Sequence, residues 1–292
     1  MTSNSNILGL IAGGGQFPFL VAQNAQKKGY QVVAVGFVQD TEPDLQNKVD
    51  SFLWLKLGQL NKLIKFFQKN KVNQVTFAGP INKPRALNIR PDFRAAKLLF
   101  KLKNKNDDAI LRAVARELEQ EGFRVVAANN FVPELIALSG QLSKRKPSAK
   151  EIQDILFAWP LVKKLGELDI GQCIVVRDQM VVAVESIEGT NATILRAGQL
   201  AGKGCVVVKA FKPGQDSRID IPALGSKTIE VMAQAGATCL AYEAGKSLFF
   251  EPDRAISLAD KNKIAVIGID EQLLQRLKSL SDGKKKHLSF KR

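Results

Sequence analysis

The stretch from Lys209 to Gly225 concentrates the side chains best suited to chemistry. It carries two carboxylates, Asp216 and Asp220, and three cations, Lys209, Lys212 and Arg218, among prolines and glycines that keep it out of regular structure. An apolar run from Cys205 to Val208 precedes it and reads as a buried strand, and a helical pattern begins near Ser226. Strand, rigid charged loop and helix N-terminus together suit a phosphate and a hard metal ion. A helix N-terminus offers N–H groups and the positive end of a dipole. Lysine and arginine neutralise phosphate oxygens, arginine in bidentate fashion, and carboxylate oxygens ligate divalent ions. The plain alternative is a solvated loop with local ion pairs, which are common on surfaces.

Three other stretches add to this inventory. Glu185 and Glu188 follow a buried strand, an expensive place for carboxylates unless they are paired or bind metal. Gly13-Gly14-Gly15-Gln16-Phe17-Pro18 joins an apolar strand, Ile7 to Ala12, to a helical pattern from Phe19 to Lys28, a turn that can cradle an anion or simply be tight. Asp107 and Asp108 open a further helix, where acids either cap the positive end or reach a substrate at the top of a sheet.

Composition narrows the chemistry. The only histidine is His287, in a basic tail, so Ser-His-Asp, Cys-His and imidazole-built zinc sites are disfavoured. Catalysis would fall to carboxylates and lysines, and a metal would have oxygen ligands, which points to Mg2+ or Mn2+. Cys173, Cys205 and Cys239 lie in apolar runs and read as reduced core thiols. The N-terminus lacks the charged and apolar regions of a signal peptide, and no apolar run approaches the ~20 residues of a membrane span. Net charge of +15 favours anionic partners: nucleotides, lipid surfaces or nucleic acid.

The elements that must hold these residues read as an α/β chain. After Gly29 a second strand runs from Gln31 to Phe37, giving a βαβ unit and hence a parallel sheet. Strands follow at Phe52–Leu57, Gln74–Ala78, ending at Gly79-Pro80, and Phe123–Ala128, with helices at Leu60–Gln68 and from Asn106 to Glu121. Between Lys83 and Lys105 lie eight Lys/Arg and one acid, Asp92. Arg90, Arg94, Lys97, Lys101 and Lys105 fall on one helical face, with Ala95, Leu98, Leu99 and Leu102 opposite: a solvated side of a packed helix, or a surface for anionic lipid or acyl chains. Residues 139–147 read as a linker between domains at 1–138 and 148–281, with a disordered basic tail at 282–292. A capping box at Ser148 and Glu151 starts a helix that Pro160 should kink or divide. A hairpin around Arg177-Asp178-Gln179 and strands at Thr238–Tyr242, Leu248–Phe250 and Ile264–Ile269 complete a second, mixed domain.

Several stretches together resemble a known family: Gly9 to Pro18, Ala78-Gly79-Pro80, Asp107-Asp108 with Leu111-Arg112, Asp169-Ile170-Gly171-Gln172, Glu185 to Thr190, Lys209 to Gly225, and Glu243-Ala244-Gly245. They look like the UDP-2,3-diacylglucosamine diphosphatases of lipid A biosynthesis, of the histidine-poor LpxI type, over nearly the whole chain. The resemblance implies two α/β domains, the first Rossmann-like, with the site in the cleft between them. It implies Mg2+-dependent hydrolysis of the substrate's pyrophosphate to UMP and 2,3-diacylglucosamine 1-phosphate, with attack on the sugar-side phosphorus. The family's functional aspartate matches Asp220, and Asn191 stands where the family often has an aspartate. On this reading Asp220 and Asp216 are catalytic, and Mg2+ is held by Asp220 with Asp216, Glu185 or Glu188. Gly13, Gly14, Gly15, Gln16, Phe17, Gly79, Asp108, Gly189, Thr190, Lys209, Lys212, Gln215 and Arg218 contact substrate. A peripheral position on the cytoplasmic face of an anionic membrane follows; a homodimer stays open.

Rival readings are weaker. A nucleotide-sugar or lipid carrier would need the same pockets without turnover. An NAD-dependent oxidoreductase would want a third glycine where Pro18 stands and an acid closing the second strand, where the chain has Val35-Gly36-Phe37. A nucleic-acid binder would interleave aromatic residues with its basic runs, and the loop acids would repel a phosphate backbone.

Overall fold

The computed structural model describes residues 6–81, 91–102, 107–214, 216, 218–219 and 221–289, with the side chains of 107 and 282–289 left out. Contacts group the chain into two units: Met1–Glu134 together with Asp216–Asp220, and Leu135–Gln215 together with Ile221–Arg292.

The first unit is built on a parallel sheet of five strands in the order β3-β2-β1-β4-β5. These are β1 (Ile7–Ala12), β2 (Gln31–Phe37), β3 (Ser51–Leu55), β4 (Gln74–Ala78) and β5 (Arg124–Val125). β1 is buried at every residue, as a continuous apolar run in the middle of a parallel sheet should be. Helix α1 (Phe17–Lys27) takes Pro18 in its first turn, where the missing N–H costs nothing. Helix α2 (Leu60–Lys69) buries Leu60, Leu63, Ile64 and Phe67, spaced by three and four. Helices α3 (Phe93–Phe100) and α4 (Asp107–Gln120) follow. The strand order reverses between β1 and β4, the topological switch point beside which open α/β sheets bind ligands. The fifth strand, expected over 123–128, is only two residues long, because Ala128–Asn130 turns into a 3-10 helix.

The second unit contains a six-stranded mixed sheet in the order β6-β13-β11-β9-β7-β8. Its strands are β6 (Gly140–Gln141), β7 (Cys173–Arg177), β8 (Met180–Val184), β9 (Val206–Lys209), β11 (Cys239–Glu243) and β13 (Ala265–Ile269), while β10 (Ala223–Gly225) pairs with β12 (Leu248–Phe250). Side chains alternate between two apolar layers. Cys173, Val175 and Val207 pack with α6 (Thr190–Ala201), α7 (Ser226–Ala235) and α8 (Pro252–Lys261). Ile174, Val176, Val206 and Val208 pack with α5 (Ala149–Glu167) and α9 (Glu271–Ser289). The hairpin turn at Asp178-Gln179 has both residues at positive φ, 54° and 55°, a two-residue turn that suits the strand twist. All three cysteines are buried thiols.

Three expectations change. Residues 139–147 do not form a simple linker: Gly140–Gln141 pairs antiparallel with β13, and the Arg145 guanidinium donates to Glu151 at 2.9 Å. Pro160 does not divide α5; its ring is exposed, while Ile155, Ala158, Trp159 and Val162 on either side are buried and hold both halves to the sheet. The tail is helical through Ser289.

Candidate active site

Lys209 is the last residue of β9 and only 5% exposed. Its ammonium donates to the Ala223 carbonyl at 2.6 Å, tying the two ends of the charged loop together. The following residues are braced one by one. Ala210 N–H donates to the Gln172 carbonyl at 3.0 Å and Phe211 N–H to the Glu243 carboxylate at 2.9 Å. Lys163 bridges the same brace, donating to Glu243 at 2.7 Å and to the Phe211 carbonyl at 3.0 Å, and Lys246 pairs with the other Glu243 oxygen at 3.2 Å. Lys212 donates to Asp169 at 2.7 Å. Each of the two lysines expected to face phosphate gives one hydrogen bond to the stem. Sequence reasoning assigned no role to Lys163, Asp169 or Glu243. The available signal was Glu243 itself, a carboxylate ending an apolar strand.

The loop's tip is held differently. Asp216 accepts the Arg218 backbone N–H at 3.0 Å and its guanidinium at 2.7 Å, and Arg218 also donates to Glu119 of α4 at 2.7 Å. The neighbouring Ile219 is 9% exposed and packs with the apolar core of the first unit. The side-chain bonds from Arg218 lead in holding the Asp216 carboxyl below its ordinary value, with the Arg112 charge adding to them, so Asp216 is ionised at neutral pH. Asp108 pairs with Arg112 one turn along α4. Gln215 and Asp220, the expected substrate contact and the expected catalytic aspartate, lie outside the described residues.

The glycine-rich turn sits at the switch point. Gly13 N–H donates to the Ala78 carbonyl and Gly14 N–H to the Pro80 carbonyl, both at 2.8 Å. A Cβ on Gly13 would stand 2.4 Å from the Gly79 carbonyl oxygen, and Gly79 has φ +90°. The first two glycines and Gly79 thus let two backbones cross, with the N–H groups of Gly13 and Gly14 bonded inside the protein. Gly15, at φ +77° with open space where a Cβ would be, and Gln16 are the exposed part of the turn; Phe17 begins α1.

Glu185 is 7% exposed and accepts from the Thr190 hydroxyl at 2.8 Å and the Gln172 N–H at 3.2 Å. Glu188 pairs with Arg196 at 2.6 Å; its own backbone amide, and Arg196 after it, hold its carboxyl below the ordinary value. Gly189, at φ +80°, turns the chain into α6, which Thr190 opens without a side-chain cap. Among the described residues no three acidic, histidine or cysteine side chains gather into a metal-holding group. The described acids expected to bind Mg2+ are each engaged with nearby protein groups and do not compose that site by themselves.

Comparison with known proteins covers both units. Residues 7–135 match a family described as the LpxI N-terminal domain, and residues 138–267 one described as the LpxI C-terminal domain. The chain is 34% identical over 276 residues to the UDP-2,3-diacylglucosamine pyrophosphatase LpxI of Caulobacter vibrioides, covering 91% of this chain and 98% of that protein. Among solved structures, N5-carboxyaminoimidazole synthetase from Staphylococcus aureus aligns with 59% of this chain and 38% of its own at 16% identity, but its TM-score of 0.26 carries no argument.

Proposed function

The chain belongs to the LpxI family, and from that premise we propose that it hydrolyses the pyrophosphate bond of UDP-2,3-diacylglucosamine, yielding UMP and 2,3-diacylglucosamine 1-phosphate in lipid A synthesis. The carrying observation is the extent of the match: the alignment, 34% identical, covers 98% of a relative named for this activity. The charged loop supports the reading physically, because Arg218 is already held by Asp216 and Glu119, which limits the ordering it would need to meet an anionic substrate.

In this reading Asp220 positions or deprotonates the attacking water. Arg218 offsets charge growing on the pyrophosphate oxygens, exchanging part of its bonding to Asp216 and Glu119 for bonds to phosphate. Lys209 and Lys212 hold the loop that carries both. A Mg2+ requirement, with Mn2+ as a substitute, rests on the sequence: with one histidine, hard oxygen ligands are what the chain offers. Net charge of +15 supports a peripheral position on the anionic cytoplasmic face of a membrane, and no described helix is long and apolar enough to cross one. The test is incubation of the purified protein with UDP-2,3-diacylglucosamine and Mg2+. UMP should accumulate in proportion to enzyme, whereas bound but unbroken substrate would favour the carrier.

A further inference from the structure

Helix α3 turns two phenylalanines straight into solvent. Phe93 is 87% exposed and Phe100 is 93% exposed, more than any other large apolar side chain among the described residues. They stand seven residues apart, close to two full turns, so they form one ridge. Lys97 and Lys101, both exposed, lie beside that ridge. The opposite face is the packed one: Ala95 is buried and Leu98 packs against the core. The remaining charges are turned inward. Asp92 caps the helix through the Ala95 N–H and accepts from the Asn61 N–H, while Arg94 pairs with Glu117 and Glu121 of α4. Two aromatic rings with two ammonium groups, on a helix already capped and pinned, make a small surface that water solvates poorly.

We propose that this face is a lipid anchor: Phe93 and Phe100 enter the headgroup–acyl boundary of an anionic bilayer while Lys97 and Lys101 lie on its phosphates. Apolar rings flanked by lysines are the pattern of helices that lie in the interface plane. Charge decides the occupant. A second copy docked on the same face would set lysine against lysine on a chain of net charge +15, whereas an anionic leaflet attracts each of them. The ridge is preformed, so little ordering cost opposes docking. The anchor rests on the reading above in one respect, that it would bring the enzyme to a lipid substrate.

Vesicles without substrate separate the two. The full chain is sedimented with phosphatidylcholine vesicles, alone or with about a third phosphatidylglycerol, at low and high salt. The wild type should bind the anionic vesicles. Phe93→Ser/Phe100→Ser should lose at least about tenfold in binding at both salts, and Lys97→Glu/Lys101→Glu at least about tenfold at low salt. Phe100→Trp should keep binding and shift its fluorescence to the blue on anionic vesicles. On substrate dispersed in detergent, both double variants should turn over as the wild type does. Wild-type vesicle binding by folded Phe93→Ser/Phe100→Ser would overturn the proposal. So would a variant that binds vesicles normally but has a raised KM for dispersed substrate, which would make the ridge an acyl-chain contact, or an unshifted spectrum from Phe100→Trp with binding kept. Vesicle binding by a protein that releases no UMP would sustain the anchor and sink the proposed function.

Discussion

Lys209 and Asp220 lie eleven residues apart in the sequence, and substitution should separate a structural role for the first from the catalytic role proposed for the second. A lysine at the end of a buried strand, 5% exposed, needs an acceptor for its side-chain nitrogen, and the Ala223 carbonyl supplies one. Lys209→Met keeps the stem's apolar bulk and strands that carbonyl, so it should cost about 1–3 kcal/mol of stability, read as a lowered Tm. Asp220→Ala removes negative charge from the loop proposed to meet the pyrophosphate. Turnover should fall by at least ~10²-fold while substrate affinity is kept, the pattern of a group acting mainly in the transition state. Comparable affinity and wild-type turnover in a folded Asp220→Ala protein would take the loop out of the chemistry. Asp216 bears on pH. Arg218 depresses its folded carboxyl below the ordinary 3.8, so its contribution is complete above that value and disappears only as pH falls through the lower, folded one. Stability should therefore show no Asp216-dependent change between pH 6 and 8 (roughly two units above any carboxylate titration), and Asp216→Asn should flatten the acid limb of a Tm-against-pH curve.

At the scale of elements, the sequence spoke clearly where one local signal governed. Gly29 stops a helix at positive φ, Ser148 and Glu151 form the capping box, and Asp178-Gln179 makes the hairpin. It was silent where partners are distant. Nothing local ties Arg218 to Glu119, 99 residues away, or Lys212 to Asp169, 43 residues away, and so Lys212 read as available for phosphate. Pro160 does not divide its helix because burial on both sides outweighs one missing hydrogen bond on the exposed side. The basic stripe of α3 was only half legible. The spacing grouped Arg94 with Lys97 and Lys101, but Arg94 is half-buried between Glu117 and Glu121. Arg94→Glu should accordingly destabilise the fold by about 1 kcal/mol or more, through like-charge contact and the lost pairs, while Lys97→Glu should leave Tm unchanged. Equal Tm values for the two variants would show that the Arg94 pairs do not matter.

The whole molecule joins a parallel-sheet unit with a switch point to a mixed-sheet unit that braces a charged loop, and it belongs to a family whose curated relative splits a pyrophosphate. The proposed metal dependence is tested at this scale. Activity should vanish in EDTA, return with Mg2+ or Mn2+, and return poorly with Zn2+, given the oxygen-rich ligand supply; full activity after exhaustive chelation would remove the metal.

Hydrolysis in 18O-labelled water tests the central claim most directly. With UDP-2,3-diacylglucosamine and Mg2+, mass spectrometry should find UMP and 2,3-diacylglucosamine 1-phosphate in equal amounts. One 18O should enter per bond broken, carried on the sugar phosphate, and Asp220→Ala should slow its entry by at least ~10²-fold. Intact substrate after prolonged incubation with folded protein, or cleavage products without the label, would contradict the account.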